Sequence, residues 1–233
     1  MARKTVFHLK EPAWRTRHDG PPGVRWNYDR HELLADGVVH AIGVGLGLIA
    51  AAVLVVTACY FATAADIAAV SVYAAGLITM LALSASYNLF PVSRWKWILR
   101  RFDHSAIYLL IAATYTPFIA HMKISVTSVA LMAGVWSVAI VGIVLKLFFP
   151  GRFDRLAVGL YLALGWSGVM VYDVIADALP SLALWLIAIG GVLYSAGVIF
   201  HVWERLRFQN AIWHGFVLLA ASCHYAAVLD LIV

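Results

Sequence analysis

The sequence contains few charged residues. Of its 233 residues, 12% are charged and 63% are hydrophobic, and the mean hydropathy is +0.86. This composition excludes a soluble globular domain, in which about 25% of residues are charged. Cysteine is also scarce, and the two cysteines, Cys59 and Cys223, are predicted to lie at different depths, which argues against a disulfide bond. These absences leave a membrane-embedded chain as the expected class.

Apolar segments of membrane-spanning length make up most of the chain. A helix needs about 20 apolar residues to cross a bilayer. Seven segments meet this requirement: 37–60, 68–90, 104–121, 125–148, 155–173, 179–203 and 210–232. The sequence therefore predicts an all-α integral membrane protein. A seven-helix membrane domain over residues 31–233 would follow a polar, basic tail over residues 1–30.

Basic residues are distributed unevenly between the two ends of the predicted spans. All but one of the 17 Lys and Arg residues fall in alternate segments, and only Lys123 falls on the other side. Because cytoplasmic loops are enriched in Lys and Arg, we predict a cytoplasmic N-terminus and an external C-terminus. The basic excess indicates contact with anionic lipid at the cytoplasmic face, not with nucleic acid.

This orientation excludes two common seven-helix classes. G-protein-coupled receptors and microbial rhodopsins have an external N-terminus. A retinal protein also needs a lysine in its last span, and residues 210–233 contain none. The function must therefore be sought in the polar residues of the spans.

Several polar side chains lie at the predicted inner ends of the spans. They are Ser84 and Asn88 in the second span, Asp103 at the start of the third, Asn210 and His214 in the seventh, His40 in the first and His201 in the sixth. Polar residues at membrane depth are energetically costly and are often functional. The pairs Ser84/Asn88 and Asn210/His214 each share a helix face, because their members are four residues apart. We expect helix packing to bring this layer together into a site near the inner leaflet.

Four motifs extend over most of the predicted membrane domain, from about Glu32 to the end of the chain. They are HELLADGVVHAIG with Glu32, Asp36, His40 and Gly43; Ser84-x3-Asn88; FDHSAIYLLIAATYTPF from Phe102 to Phe118; and GGVLYSAGVIFHVWERLRFQNAIWHGFVLLAASCHYAAV from Gly190 to Val228. They resemble the hemolysin III branch of the progestin and adipoQ receptor family, which is related more distantly to alkaline ceramidases. The resemblance implies a seven-helix protein of a bacterial inner membrane.

The resemblance also implies a zinc site, at which this chain departs from the family pattern. In the family, Ser-x3-His in the second span and His-x3-His in the seventh provide three zinc-binding histidines, and an Asp of the third span lies beside the metal. Ser84, Asp103 and His214 match this pattern, whereas Asn88 and Asn210 replace two ligands. A neutral amide oxygen is a poor zinc ligand. We therefore expect the zinc site to be lost or much weakened, and no cofactor to be bound.

Alternatives remain open for these residues. A zinc site could be rebuilt from His214 with other side chains of the inner layer: Asp103, His40 and His201. A metal-free polar network around a water could instead join the amide, hydroxyl and carboxylate groups of Asn88, Asn210, Ser84 and Asp103. Asp103 could also be an N-cap at the start of the third helix.

Two functions follow from the resemblance. In a lipid amide or ester hydrolase, zinc would activate water, with Asp103 as the general base and Ser84 as a polar assistant. In a non-enzymatic protein of membrane-lipid or fluidity homeostasis, or of lipid sensing, a polar inner-leaflet cavity would bind fatty acid or phospholipid head groups. We favour the second function because it does not require zinc. Cytolysis is disfavoured, since a compact bundle without a secretion signal has no evident route to a foreign membrane.

Overall fold

The fold is helical throughout the part of the chain that the structure describes. This structure is a computed structural model, and it describes residues 28–151, 153–203 and 205–233. The predicted tail, residues 1–30, therefore falls almost wholly outside the described residues. In chain order the elements are α1 (Arg30–Phe61), α2 (Ala64–Leu89), α3 (Arg94–His121), α4 (Val126–Phe148), α5 (Asp154–Gly165), a 3₁₀ helix (Ser167–Val171), α6 (Tyr172–Ala178), α7 (Ser181–Val202) and α8 (Gln209–Asp230).

Within the described ranges, six helical segments are long and apolar enough to cross a membrane. They are α1, α2, α4, the segment Leu156–Ala178, α7 and α8. They coincide with six of the seven predicted spans, and the predicted helical membrane fold is confirmed to that extent. The remaining predicted span lies on α3, which does not reach the same hydropathy because histidine, tyrosine and threonine side chains interrupt its apolar stretch.

Two helices, α1 and α3, begin much earlier than the apolar segments indicate. The carboxylate of Asp29 accepts hydrogen bonds from the backbone N–H groups of His31 (2.7 Å) and Glu32 (2.9 Å), and Glu32 accepts one from the N–H of Asp29 (2.9 Å). This capping box starts α1 seven residues before the predicted span. Ser93 caps α3, which begins ten residues before its predicted span. Asp103 therefore lies inside α3, and the alternative that it caps this helix is wrong.

The fifth predicted span is interrupted near its middle. After α5 ends at Gly165, the chain forms the 3₁₀ helix before it continues as α6. The hydroxyl of Tyr115 on α3 donates a hydrogen bond to the carbonyl of Gly165 (2.8 Å) and accepts one from the N–H of Gly168 (2.9 Å). Tyr115 thus pairs with backbone groups that a continuous helix would satisfy internally.

Close helix approaches place α1 between α2 and α8. A Cβ atom on Gly43 would lie 2.7 Å from Cδ2 of Leu218 on α8, and a Cβ on Gly47 would overlap the side chain of Leu81 on α2. Glycine at these positions lets the helices pack closely. As a result, the polar face of the first turns of α1 faces residues of α2 and α8.

Candidate functional site

The inner-layer residues lie at one end of the helix bundle, which we call the basic end and define by Lys96, Arg100, Lys146 and Arg207. Here α1, α3, α5 and α8 begin, and α2, α4 and α7 end. Lys96 Nζ donates to the carbonyls of Asn88 (3.0 Å) and Phe90 (2.9 Å), which caps the C-terminus of α2. Arg207 pairs with Asp29 at 3.3 Å. Lys96 and Arg207 thus stabilise the contacts between neighbouring helix ends.

Asp154 connects three elements at the basic end. Its carboxylate lies 2.6 Å from Nζ of Lys146 on α4 and 3.0 Å from the guanidinium of Arg100 on α3. Burial alone would raise the pKa of the Asp154 carboxyl, but the hydrogen bonds and charges of Lys146 and Arg100 outweigh it and lower the pKa to about 2. Asp154 therefore stays ionised and holds the start of α5 against α3 and α4.

A cluster of one carboxylate and two imidazoles joins α1 to α8. Asp36 Oδ1 lies 2.6 Å from Nδ1 of His214 and 3.6 Å from Nδ1 of His40. The two imidazole rings lie edge to face, with centroids 4.4 Å apart. Asp36 and His40 are buried, and the His214 side chain is 13% exposed. Each of these three side chains offers one nitrogen or oxygen atom that could bind a metal ion, and the three atoms lie within 4.8 Å of one another. Among the described residues, this is the group of His, Cys, Asp and Glu side chains that meets this distance.

The second helix adds Ser84 and Asn88 to this cluster. Nε2 of His40 lies 3.3 Å from the hydroxyl of Ser84, while Nδ1 of His40 lies 2.8 Å from the backbone carbonyl of Asp36. The Asn88 amide donates to the carbonyl of Ser84 at 3.0 Å. The predicted residues His40, Ser84, Asn88 and His214 thus lie together, and both nitrogens of His40 have hydrogen-bond partners.

Asp103 and His201 lie outside the cluster. Asp103 Oδ2 is 3.2 Å from Nδ1 of its neighbour His104, so the two side chains approach although successive helical residues diverge by about 100°. By hydrogen-bond geometry, Nδ1 of His104 has no partner among the described residues. His201 packs against Trp213, with ring centroids 4.9 Å apart. Neither Asp103 nor His201 belongs to the group of close potential ligand atoms that His40 and His214 form with Asp36 among the described residues.

Asn210 lines a small polar cavity beside the cluster. This cavity has a volume of about 20 Å³, and its lining includes Asp36, Asn88, Lys96 and Asn210. A buried water needs roughly 10–15 Å³ and two to four polar partners, so the space suits one water. Asp36 is the carboxylate that lines this small cavity together with the two asparagines.

A second, much larger cavity begins at the same polar layer and continues along the bundle. Its volume is about 710 Å³, within the range of roughly 300–1,000 Å³ that is common for small-molecule sites. Polar residues of the layer line its basic end: Ser84, Asn88, Asp103, His201, Asn210 and His214. Mainly apolar residues of α3, α7 and α8 line the rest, among them Ile111, Phe118, Val198 and Val217. His224 also lines it, about 21 Å along α8 from Asn210.

Asp36 is a site residue that was not among the predicted ligands. It belongs to the first of the four motifs, but the predicted candidates for metal binding were His214, Asp103, His40 and His201. The spacing could have identified it, because Asp36 and His40 are four residues apart and share a face of α1. The same spacing rule had identified the pairs on the second and seventh spans.

Comparisons with known proteins agree with this architecture. The family model described as "Haemolysin-III related" matches residues 28–225. The chain is 35% identical over 198 residues to "Hemolysin-3 homolog" of Bacillus subtilis (strain 168), which covers 85% of this chain and 93% of that protein. It is 34% identical to "Hemolysin-3" of Bacillus cereus, covering 85% and 90%. A more distant relative is the human "Monocyte to macrophage differentiation factor", 28% identical over 67% of each chain.

These matches define the class of protein. It is an integral, multi-pass membrane protein built from helices. The chain belongs to the hemolysin III family, as its motifs predicted. No solved structure matches it.

Proposed function

We propose that this protein binds a single-chain membrane lipid in the large cavity and serves in membrane-lipid homeostasis or lipid sensing. The observation that carries the proposal is the division of one cavity into a polar end and a long, mainly apolar part. A fatty acid, or a phospholipid with a single chain, has the same division into a polar head group and an apolar tail. With the head group at the basic end, the polar part of the lipid lies in the polar part of the cavity and its tail lies in the apolar part.

The polar end of the cavity offers hydrogen bonds to a head group. Ser84 has a hydroxyl group, Asn88 and Asn210 have amides, and His214 has an imidazole nitrogen, Nε2, beyond its contact with Asp36. These groups include donors and acceptors, which suit the oxygens of a carboxyl or ester group. The tail would lie beside Ile111, Phe118 and Val217, where burial contributes about 25 cal/mol per Å² of apolar surface.

The proposed orientation in the membrane has α3 as a seventh span and the N-terminus in the cytoplasm. It is supported by the position of Lys96, Arg100, Lys146 and Arg207 at the same end of the bundle. Cytoplasmic ends of spans are enriched in such residues, and the inner leaflet supplies anionic lipid for them. The membrane would be the inner membrane of a bacterium, in line with the Bacillus relatives.

We favour binding over catalysis because the family's zinc ligands are replaced. Asn88 and Asn210 stand at two of the three ligand positions, and the amide nitrogen of Asn88 is engaged with the Ser84 carbonyl. These residues do not fit a three-histidine zinc site. Asp103 would be the base of a hydrolase and Ser84 its assistant, but Asp103 does not belong to the cluster of potential metal ligands among the described residues. Lipid binding requires none of these features.

A displacement assay with a fluorescent long-chain fatty acid tests the proposal. The full-length protein, purified in detergent and stripped of endogenous lipid, should bind the probe at about one per chain, and unlabelled fatty acid should displace it. Val198→Trp on α7 should reduce the affinity at least tenfold, because the indole would fill part of the cavity.

Val192→Trp is the matched control on the same helix. Val192 is 57% exposed and does not line the cavity, so its substitution should leave probe binding unchanged. Equal binding by the two variants, or no saturable binding by the wild type, would contradict the proposal.

A further inference from the structure

We propose that Asp36, His40 and His214 form a binding site for one divalent transition metal, zinc in the first place. Their potential ligand atoms all lie within 4.8 Å of one another. This set shares only His214 with the site that the family resemblance implies. The other two ligands come from α1, which provides no ligand in the family pattern.

The chemistry of the three side chains suits zinc. Two imidazoles and one carboxylate are a common protein ligand set for catalytic zinc, with bond lengths of about 2.0–2.2 Å and a fourth position left open. Asp36 Oδ1 is already 2.6 Å from His214 and 3.6 Å from His40. Small side-chain movements would therefore place all three groups around one ion. His214 also lines the large cavity, so the fourth position can face the cavity.

The backbone holds these ligands in place before any metal binds. Asp36 and His40 occupy successive turns of one face of α1. Glu32, one turn earlier, accepts a hydrogen bond at 3.1 Å from the backbone N–H of Phe208, directly before α8. Gly43, one turn later, permits the close approach of α1 to Leu218 on α8. The ligands thus lie between two interhelical contacts that fix the distance between α1 and α8.

Ser84 can remain a hydrogen-bond partner of His40 when His40 binds a metal, and the imidazole of His40 stays neutral. In the hydrogen-bonded arrangement, Nδ1 of His40 donates to the Asp36 carbonyl and Nε2 accepts from Ser84. If Nδ1 binds a metal, the proton moves to Nε2, which then donates to the Ser84 oxygen, since a hydroxyl both donates and accepts. Such a hydrogen bond to the second ring nitrogen is usual for metal-binding histidines.

The inference is independent of the proposed lipid binding and is tested without a lipid or an activity. The full-length protein carries a tag that contains no histidine, is purified in detergent and is treated with a chelator. Zinc is then titrated by calorimetry, metal content is measured by mass spectrometry after desalting, and cobalt(II) is added to record its ligand-field absorption. We expect about one metal per chain and cobalt bands typical of four-coordinate nitrogen and oxygen ligation.

Single substitutions locate the site. Asp36→Asn and His214→Gln should each weaken zinc binding more than about 100-fold, since losing a supporting residue alone costs about 10–100-fold. Asp36→Asn is nearly isosteric and keeps the inference testable if His214→Gln fails to fold. Asn88→Ala and His201→Gln should keep affinity within about tenfold, because neither side chain belongs to the ligand set. Gel filtration confirms that each variant is folded.

Three results would overturn the inference. The first is a wild-type protein that retains and binds no zinc near equimolar concentration. The second is loss of zinc in Asn88→Ala but not in Asp36→Asn, which would return the metal to the family's ligand positions. The third is equal binding by all variants, which would mean that histidines elsewhere in the chain bind the metal. Each of these results leaves the fatty-acid displacement assay unaffected, so the two proposals fail separately.

Discussion

The carboxylate of Asp36 on α1 lies 2.6 Å from Nδ1 of His214 on α8, although the residues are 178 positions apart in the sequence. A carboxylate accepts hydrogen bonds, so Nδ1 of His214 is the donor in this contact and Nε2 is left for another partner. Hydrogen bonds to charged groups contribute about 1.5–3 kcal/mol to stability. The contact therefore joins the first and last helices and orients His214 beside the large cavity.

Acid stability should depend on Asp154. Its pKa of about 2 lies below the ordinary value of 3.8 because of Lys146 and Arg100. The ion pairs therefore stabilise the protein fully above about pH 4, and this contribution is lost as the pH falls from about 4 to about 2. The apparent melting temperature of the wild type in detergent should decrease steeply across this range.

Asp154→Asn provides the comparison for the acid transition. It should lower the melting temperature at neutral pH, because it leaves the buried Lys146 without its carboxylate partner. Its melting temperature should then change less than that of the wild type between about pH 4 and 2. Asp173→Asn, at the opposite end of the bundle, should retain the wild-type dependence. If the melting temperature of Asp154→Asn decreased between about pH 4 and 2 as much as that of the wild type, Asp154 would not be the source of the acid dependence.

The packing of α2 against α3 should not tolerate a methyl group at Gly76. A Cβ there would lie 2.5 Å from Cβ of Ala113, an atom that cannot rotate away. Gly76→Ala should therefore destabilise the protein by about 1–3 kcal/mol. Thermal unfolding measures this as a decrease of about 2–4 °C per kcal/mol. Gly45→Ala is the control, because among the described residues no atom beyond the adjoining backbone of α1 lies within 4 Å of an added Cβ. It should leave the melting temperature unchanged or higher.

Much of the helical architecture could be predicted because apolar length decides it. Six predicted spans coincide with apolar helices of the structure. The helix ends were missed where polar residues cap them: Asp29 and Ser93 extend α1 and α3 through segments that are not apolar. The interruption after Gly165 was also missed, since it depends on a hydrogen bond from Tyr115, 50 residues earlier in the chain.

The candidate site was predicted in part. Depth and helical spacing placed His40, Ser84, Asn88 and His214 in one layer, and the structure brings them together. The depth of a side chain in the membrane could not determine which other side chains of the same layer it contacts. Asp103 lies in the same layer but turns toward His104, whereas Asp36 is the carboxylate that reaches His214. That choice depends on how α1 and α8 are rotated against each other, which periodicity does not determine.

Restoring the family's histidines tests whether Asn88 and Asn210 occupy the family's ligand positions. Asp36→Asn alone should lack tight zinc binding. The same chain with Asn88→His and Asn210→His should regain about one zinc per chain, because His214 would then complete a three-histidine set. Metal content after chelation and reloading measures the gain. A triple variant that is folded but gains no zinc would show that our assignment of these two positions is wrong.

Cysteine labelling tests the proposed orientation. In a variant with both native cysteines changed to serine, Ile124→Cys in the connection between α3 and α4 should react with a membrane-impermeant maleimide on intact spheroplasts. Ile124 is 95% exposed. Phe149→Cys, after α4 at the basic end, should react only after permeabilisation. The reversed labelling pattern would place the basic end outside, contrary to the charge distribution.

The central claim is that the large cavity contains one membrane lipid, and native mass spectrometry of the detergent-purified protein tests it most directly. We predict a discrete adduct of one single-chain lipid on the wild-type protein, identified after extraction, which is retained in Val192→Trp and lost in Val198→Trp. A wild-type protein without a stoichiometric adduct, or an adduct equally abundant in Val198→Trp, would contradict the account.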